Sequence, residues 1–482
     1  MALKKSRKSL NFDFFKMNKA AIISSKGLVN LAKRTGIDGL ALIIVLSGII
    51  YTNLFYKFWN AKGRIIAHDV ILYYEYLPAA FIYKDLSLSF TSENPEFFKD
   101  KIWKITTGNG KAVSKMTMGL AVLYSPFFLA GHAISSFTGY PADGYSVPYR
   151  VALVISSIIY AGLGFIFLIK LLRKYFGRSA IAITILVIGL GTNLYYYTTL
   201  EPTMSHSYNF FLFAVFIYLV DVWTEKQSWL STIFLGLTGG LIILVRPTNG
   251  IIFLILPLWK VDSYAALKER TGLFLTNFLK LGTLALLVVL VFLPQLFYWK
   301  YNTGHYFFYS YRDEGFFFTD PAFFKGLFSY RKGWLLYTPL MTFSLLGIII
   351  LYLKKRKFFW PVLTFTIINL YIIWSWWCWW YGGGFGQRAL IESYAVLSIP
   401  FAAFCEFIFD RKLLAKILFF TLVAGFISLN IFQTRQYYKG VIHWDAMSKY
   451  TYWDSFFRLK MAPNMYNHID PPDYKAAKEG NR

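Results

Sequence analysis

Only two cysteines, Cys378 and Cys405, occur in this 482-residue chain, so no disulfide framework can hold it together. Both lie in or beside apolar segments, where packing is their expected role. Carboxylates are scarce as well: 25 Asp and Glu stand against 50 Lys and Arg, and charged residues together make up 16% of the chain. That is far from the usual balance of a soluble globular protein. His-Glu-x-x-His, Gly-x-Ser-x-Gly and P-loop patterns are missing, which leaves hydrolase and ATPase readings with nothing to stand on. A secretory cleavage site is also missing. The basic start (Lys4, Lys5, Arg7, Lys8, Lys16, Lys19) leads to an apolar span with no small-residue cleavage signal behind it, so that span is read as an anchor.

What the chain does have is apolar length. Hydrophobic residues reach 56% and aromatic ones 20%. About eleven stretches have the length and composition of membrane spans, beginning near Leu40, Pro148, Ala180, Pro202, Trp229, Gly250, Leu281, Trp334, Phe358, Ala389 and Leu413. The expected fold is an all-α polytopic membrane protein with juxtamembrane helices on its outer face. With the N-terminus inside, the inner loops hold Lys170, Arg173, Lys174 and Arg178, then Lys354 to Lys357, then Arg411, Lys412 and Lys416, as the positive-inside bias requires. The net charge of +25 is thus accounted for by topology, and no nucleic acid is expected. The C-terminus then lies outside.

This divides the chain into a basic cytoplasmic start (1–39), a membrane domain (40–432) and an outer tail (433–482). Outer loops 57–147 and 300–333 belong to the membrane domain. The apolar run 116–137 is read as an outer-face interfacial or re-entrant helix, because counting it as a span would put all three basic clusters outside. Spans three, five, seven, eight and nine carry no charge in their middles, which weakens a transporter reading.

Every candidate polar group lies at an outer span end. Asp69 and His68 stand in "GRIIAHDVILYYEYLPAAFIY", with Tyr73 and Tyr74 one turn on, and Glu201 stands in "YTTLEPTMSH". Two readings compete for each acid. Both can share one site, or Asp69 can pair with Arg64 while Glu201 favours the start of a helix at Pro202. Lys115, opening a helix in "GKAVSKMTMG", Arg246 in "ILVRPTNG" and Arg388 in "YGGGFGQRALIES" form an anion site on one reading and snorkel to headgroups on the other. The stretch "WSWWCWWYGGGFGQR" reads either as an aromatic belt ending in a flexible turn, or as glycine N–H groups, Gln387 and Arg388 offered to a phosphate. His68, Asp69, Glu201 and His206 lack recognisable metal spacing, so no metal or other cofactor is expected.

This layout, from about Leu40 to Gln433, resembles the GT-C class of integral-membrane glycosyltransferases, in particular protein O-mannosyltransferases and the aminoarabinose transferases of lipid A. The resemblance implies that Asp69 is the active-site acid of the first outer loop and that Glu201, followed by Pro202, is the acid of the next outer junction. It implies further that Lys115 contacts a lipid phosphate and that the glycine-rich turn and Arg388 form the late outer loop. Many relatives carry two adjacent acids where this chain has Asp69 followed by Val70. The implied reaction moves a sugar from a polyprenyl-phosphate donor to a hydroxyl of a glycan, lipid or protein at the outer face of a bacterial inner membrane. Lys115, Arg246, Arg388 and Gln387 would hold the donor phosphate, and Asp69 would act as base with inversion, assisted by Glu201. His68, Tyr73, Tyr74, His206, Trp380 and Tyr381 would line the sugar and acceptor pocket. The rival readings are a lipid or polysaccharide transporter and a non-catalytic membrane subunit.

Overall fold

The computed structural model describes residues 35–482, so residues 1–34 of the basic start, including Lys4 to Lys19, lie outside the described residues. Among the described residues, seven helices are long and apolar enough to cross a membrane, and five shorter apolar helices accompany them. Strand among the described residues is confined to a single hairpin, β1 (Lys104–Thr106) and β2 (Ala112–Ser114), paired antiparallel with Lys104 opposite Ser114. The protein is an all-α membrane protein.

The bundle has two chemically different ends. α1 (Ile37–Tyr56) starts where Asp38 meets Arg173, just past the end of α4 (Val147–Leu172). α5 (Arg178–Leu190) leaves from the same end, and α6 (Ser205–Lys226) arrives there, placing Asp221 and Glu225 against Lys174. α7 (Trp229–Val245) returns. An eight-residue 3₁₀ stretch, Pro247–Leu254, runs on through the short helix α8 (Ile255–Leu258) to Trp259, whose indole reaches Asp221 again. A 3₁₀ turn rises about 2.0 Å per residue against 1.5 Å in an α-helix, so this tight form covers the distance with few residues. Pro247 prevents α7 from continuing, because it lacks an N–H and disfavours helical geometry in the residue before it.

The surface helix α9 (Tyr264–Thr276), with no buried residue, precedes α10 (Phe278–Thr303). α7 and α10 run side by side through small residues, with Gly236 against Leu287 and Gly240 against Val291, the close approach expected of helices packed in lipid. α11 (Met341–Lys354), α12 (Phe359–Ser375), α13 (Tyr394–Phe409) and α14 (Leu413–Tyr438) complete the set. Lys354–Asp410 and Lys355–Glu406 bind their turns at the basic end. The connections 57–146, 304–333, 376–393 and 439–482 lie at the opposite, loop end, whereas 259–277, with α9, lies at the basic end.

α3 (Gly119–Thr138) meets the length and composition of a span, yet its contacts stay at the loop end. Gly119 abuts the last residues of α7, Leu244 and Val245. Tyr124 donates to the Thr203 carbonyl and packs on Tyr208 at the start of α6, and Gly131 lies on Tyr149 at the start of α4. Lys115 does not open this helix. It sits between β2 and α3, because the hairpin is held by Ser114, whose hydroxyl donates to Leu72 O and whose N–H reaches the Tyr298 hydroxyl at 3.0 Å.

Glu75 is buried in this outer layer and accepts the Trp103 N–H at 3.0 Å. Burial raises its pKa to about 8, and hydrogen bonds from Ser114 and Trp103 only partly offset it. An acid raised on folding binds its proton in the native state while the unfolded chain has lost it. Its contribution is therefore intact below the ordinary carboxylate range, and stability falls as pH rises from about 5 to about 8. Glu75→Gln should flatten the fall in thermal midpoint across that window; an unchanged slope would assign the dependence to other groups.

Candidate functional site

Arg246 is turned inward by its own sequence. As the last residue before Pro247 it leaves the helix with φ −149° and ψ 108°, and its guanidinium meets the Glu392 carboxylate at 2.9 Å. Glu392 also accepts from His206 Nδ1 at 3.3 Å. From another direction comes Asp69, the first residue of α2 (Asp69–Tyr74), a short helix of the outer layer, where a carboxylate suits the helix dipole. Asp69 meets Arg388 Nη1 at 2.9 Å. Four side chains from three distant segments thus form two acid–arginine pairs at the loop end.

Backbone strain marks both sides of the Asp69–Arg388 pair. His68, the residue before Asp69, has φ +52° and ψ −136°, and Tyr381, whose carbonyl accepts from Arg388 Nε at 3.0 Å, has φ +58°. Such conformations cost a non-glycine residue about 1–3 kcal/mol and persist only where the surroundings fix them. Between Tyr381 and Arg388 the glycine-rich turn is pressed from below. A Cβ on Gly384 would stand 2.5 Å from the Tyr197 hydroxyl, and Gly386 has φ +62° against Asn193 and Tyr337. The Phe385 N–H is taken by Tyr197 at 3.0 Å and the Gly382 N–H by Cys378 Sγ at 3.2 Å, so neither of these two groups is offered to an anion.

Burial works to raise the Asp69 pKa, but the Arg388 charge and hydrogen bond outweigh it and hold the carboxyl below its ordinary value. Glu392 behaves likewise: burial pushes it up, and Arg246 followed by His206 brings it below the usual range. In Arg246 and Arg388 the loss from burial is overcome by Glu392 and Asp69 respectively, and both pKa values rise. All four groups are charged in this arrangement, and the pairs are neutral as a set.

The other sequence-derived residues divide in two. Tyr73, one turn past Asp69, faces Ser205 and Arg246, and Tyr381 interacts with Arg246, Glu392 and Arg388. His206 is buried against Tyr197 and Glu392, with Nε2 unpartnered. Lys115 pairs with Glu314 and lies 5.0 Å from the ring of Tyr311, which in turn interacts with Tyr73, Arg246 and Asp69. Glu201 does not cap a helix: the helix begins at Ser205, and the carboxylate accepts from the Tyr196 hydroxyl at 2.9 Å while influencing Tyr197 and Arg388. Tyr74 turns away, donating to the Gly144 carbonyl amid Tyr124, Phe128 and Tyr145. Gln387 braces the turn by donating to Trp379 O at 2.9 Å. Trp380 packs under Arg331 and Tyr474, and His68 is exposed. Arg64 lies over the Phe58 ring at 4.4 Å, not on Asp69. Among the described residues no three His, Cys, Asp or Glu side chains are grouped to hold a metal ion.

Sequence reasoning missed Glu392, Tyr197, Tyr311 and Lys332. Glu392 carried a signal, standing four residues after Arg388 at the mouth of an apolar span. Lys332 is buried, donates to the carbonyls of Gly384 and, at 2.7 Å, Trp444, and is brought down to about 7 by burial. Nothing in its local sequence distinguishes it from the neighbouring Arg331. No known protein family's profile matches this chain, and no curated protein sequence matches it. The class defined by the fold is an integral membrane protein of packed helices, with a buried charge cluster at one end.

Removing the Glu392 carboxylate strands Arg246 in a largely closed site. Glu392→Ala should therefore lower stability by about 2 kcal/mol or more, seen as a fall in the thermal midpoint of the detergent-solubilised protein. A midpoint equal to wild type would mean that solvent already compensates Arg246.

Proposed function

We propose that the chain is a GT-C-like glycosyltransferase that moves a sugar from a polyprenyl-phosphate donor to an acceptor hydroxyl, with its site at the outer face of a bacterial inner membrane. About eleven passages of the chain cross the bilayer in this reading, with the basic end inside, α3 kept at the outer face, and the tail outside. The observation that carries the reading is the convergence of one carboxylate, Asp69, and two arginines, Arg246 and Arg388, at a single bundle end. Tyr73, Tyr311 and Tyr381 stand around them. A base beside preset cations is what transfer from a phosphate leaving group needs.

The pairing assigns an order to events. A donor phosphate entering the site competes with the Asp69 carboxylate for Arg388. Once Arg388 binds phosphate, Asp69 loses the contact that keeps its pKa low and becomes a stronger base. The acceptor O–H proton then passes to Asp69 as the acceptor oxygen bonds the anomeric carbon. The bond from that carbon to the phosphate oxygen breaks, and its electron pair leaves with the polyprenyl phosphate, held by Arg388 and Arg246 with Lys115 nearby. Attack opposite the leaving group inverts the anomeric carbon. Glu201 orients the reactants by way of Tyr196 and Tyr197.

Asp69→Asn should reduce transfer per folded molecule by about two to four orders of magnitude. It should bind a prenyl-phosphate sugar at least as tightly as wild type, because the competitor for Arg388 is gone. Arg388→Gln should instead weaken donor binding, by about 1.5–3 kcal/mol for a lost charged hydrogen bond. Full turnover of the Asn variant would reject Asp69 as the base.

The pH profile gives a second check. Activity requires ionised Asp69, so it falls as pH drops through the Asp69 pKa. The acid limb of kcat/KM, which reports the free enzyme, should lie below the limb of kcat, which reports the donor complex. Coincident limbs would argue against release of the ion pair.

A further inference from the structure

At the basic end, far from the acid–arginine pairs, a cavity of about 430 Å³ is lined by Lys174, Tyr175, Asp262 and the run Lys354 to Lys357. Five of its seven lining residues are cations and one is an acid. Cations on inner loops ordinarily spread into the headgroup layer, and that spread satisfies the topology bias without a site. Here they converge on one concave space between the turn after α4 and the turn joining α11 to α12.

Neighbouring carboxylates neutralise only part of the charge. Lys174 is taken by Asp221 and Glu225, Lys354 by Asp410 at 3.1 Å, and Lys355 by Glu406 at 3.3 Å while it also donates to Tyr175 O at 2.7 Å. Arg356 and Lys357 have no carboxylate in ion-pair range among the described residues. Their cationic groups lie instead beside aromatic rings, Arg356 at 5.2 Å from Tyr352 and Lys357 at 4.7 Å from Tyr175. Paired lysines thus brace the walls, and an arginine and a lysine are left to meet an anion. The run is also flanked by exposed apolar side chains, Leu353 one residue before it and Trp360 three residues after it. A polar cationic cavity where two apolar helices, α11 and α12, meet matches a ligand with a charged head and apolar tails.

We infer that this cavity is a binding site for a phosphate-bearing anionic headgroup, supplied by a membrane phospholipid, with Arg356 and Lys357 as its principal contacts. A guanidinium offers bidentate hydrogen bonds to phosphate oxygens and an ammonium adds a point charge. Basic pockets between helix ends at an inner membrane face are suited to such headgroups. The site is independent of the sugar-transfer reading and stands whether or not that reading holds.

The test uses the full chain in detergent, titrated with dioctanoyl phosphatidic acid and separately with inorganic phosphate, with bound probe read by native mass spectrometry. Wild type should retain the lipid. The double variant Arg356→Gln/Lys357→Gln should retain it about tenfold more weakly, while Lys412→Gln, a cation at the same end outside the cavity, should match wild type. Should the double variant fail to fold, Arg356→Gln alone is measured, and a loss of retention there is expected. Weak binding of inorganic phosphate alongside tight lipid binding identifies a lipid headgroup. Equal displacement of the lipid by inorganic phosphate keeps the phosphate site but assigns it to the free ion. Equal lipid retention by wild type and the variants, or no retention of either probe, overturns the inference and leaves the cations as topological anchors.

Discussion

A charge withdrawn from water must meet an opposite charge, and the loop end of this protein is organised by that requirement. Arg246 and Arg388 are carried there by helices that also bury Glu392 and hold Asp69 at the rim. Each arginine without its acid would carry a desolvation penalty of several kcal/mol. The two pairs therefore fix four segments of chain relative to one another: the first outer loop, the end of α7, the start of α6 through His206, and the turn before α13. The aromatic side chains pack around that frame.

The same constraint gives the two ends of the bundle different characters. At the basic end the ion pairs lie between neighbouring turns and leave cations over. At the loop end the pairs join distant segments, and positive and negative charges balance. A neutral cluster of paired charges is self-satisfied and holds its segments together without a ligand. An excess of cations around an open cavity suits continuous contact with anionic headgroups.

Much of the helical architecture was legible because apolar length is a direct signal: a run such as 40–56 or 413–432 has few ways to satisfy its backbone in lipid other than a helix. The location of Asp69, Arg246 and Arg388 at one end was also legible, from topology alone. Their partners were not. Arg64 stands five residues from Asp69 and looked like its mate, but Arg388, over three hundred residues away, holds the carboxylate. Ion pairing is decided by tertiary placement, which neighbouring sequence does not encode. Glu392 was overlooked for the same reason, since an acid at a helix entry normally reads as a dipole complement. The 3₁₀ passage Pro247–Leu254 was legible as apolar but not as 3₁₀, because its winding is set by packing, with Phe253 seated on Gly239.

Lys332 ties the carbonyl of Gly384, in the turn that carries Arg388, to the carbonyl of Trp444 in the segment after the last apolar helix. The consequence concerns the order of manufacture. A chain made and inserted from its N-terminus has every apolar helix in place before Trp444 emerges, and only then is the second acceptor of Lys332 available. Until that moment the buried Lys332 amino group lacks one of its two carbonyls, and the turn bearing Arg388 lacks its outer clamp. Assembly of the charge cluster is thus among the last events of biogenesis, and a chain interrupted before Trp444 would carry its helices but hold Arg388 less firmly.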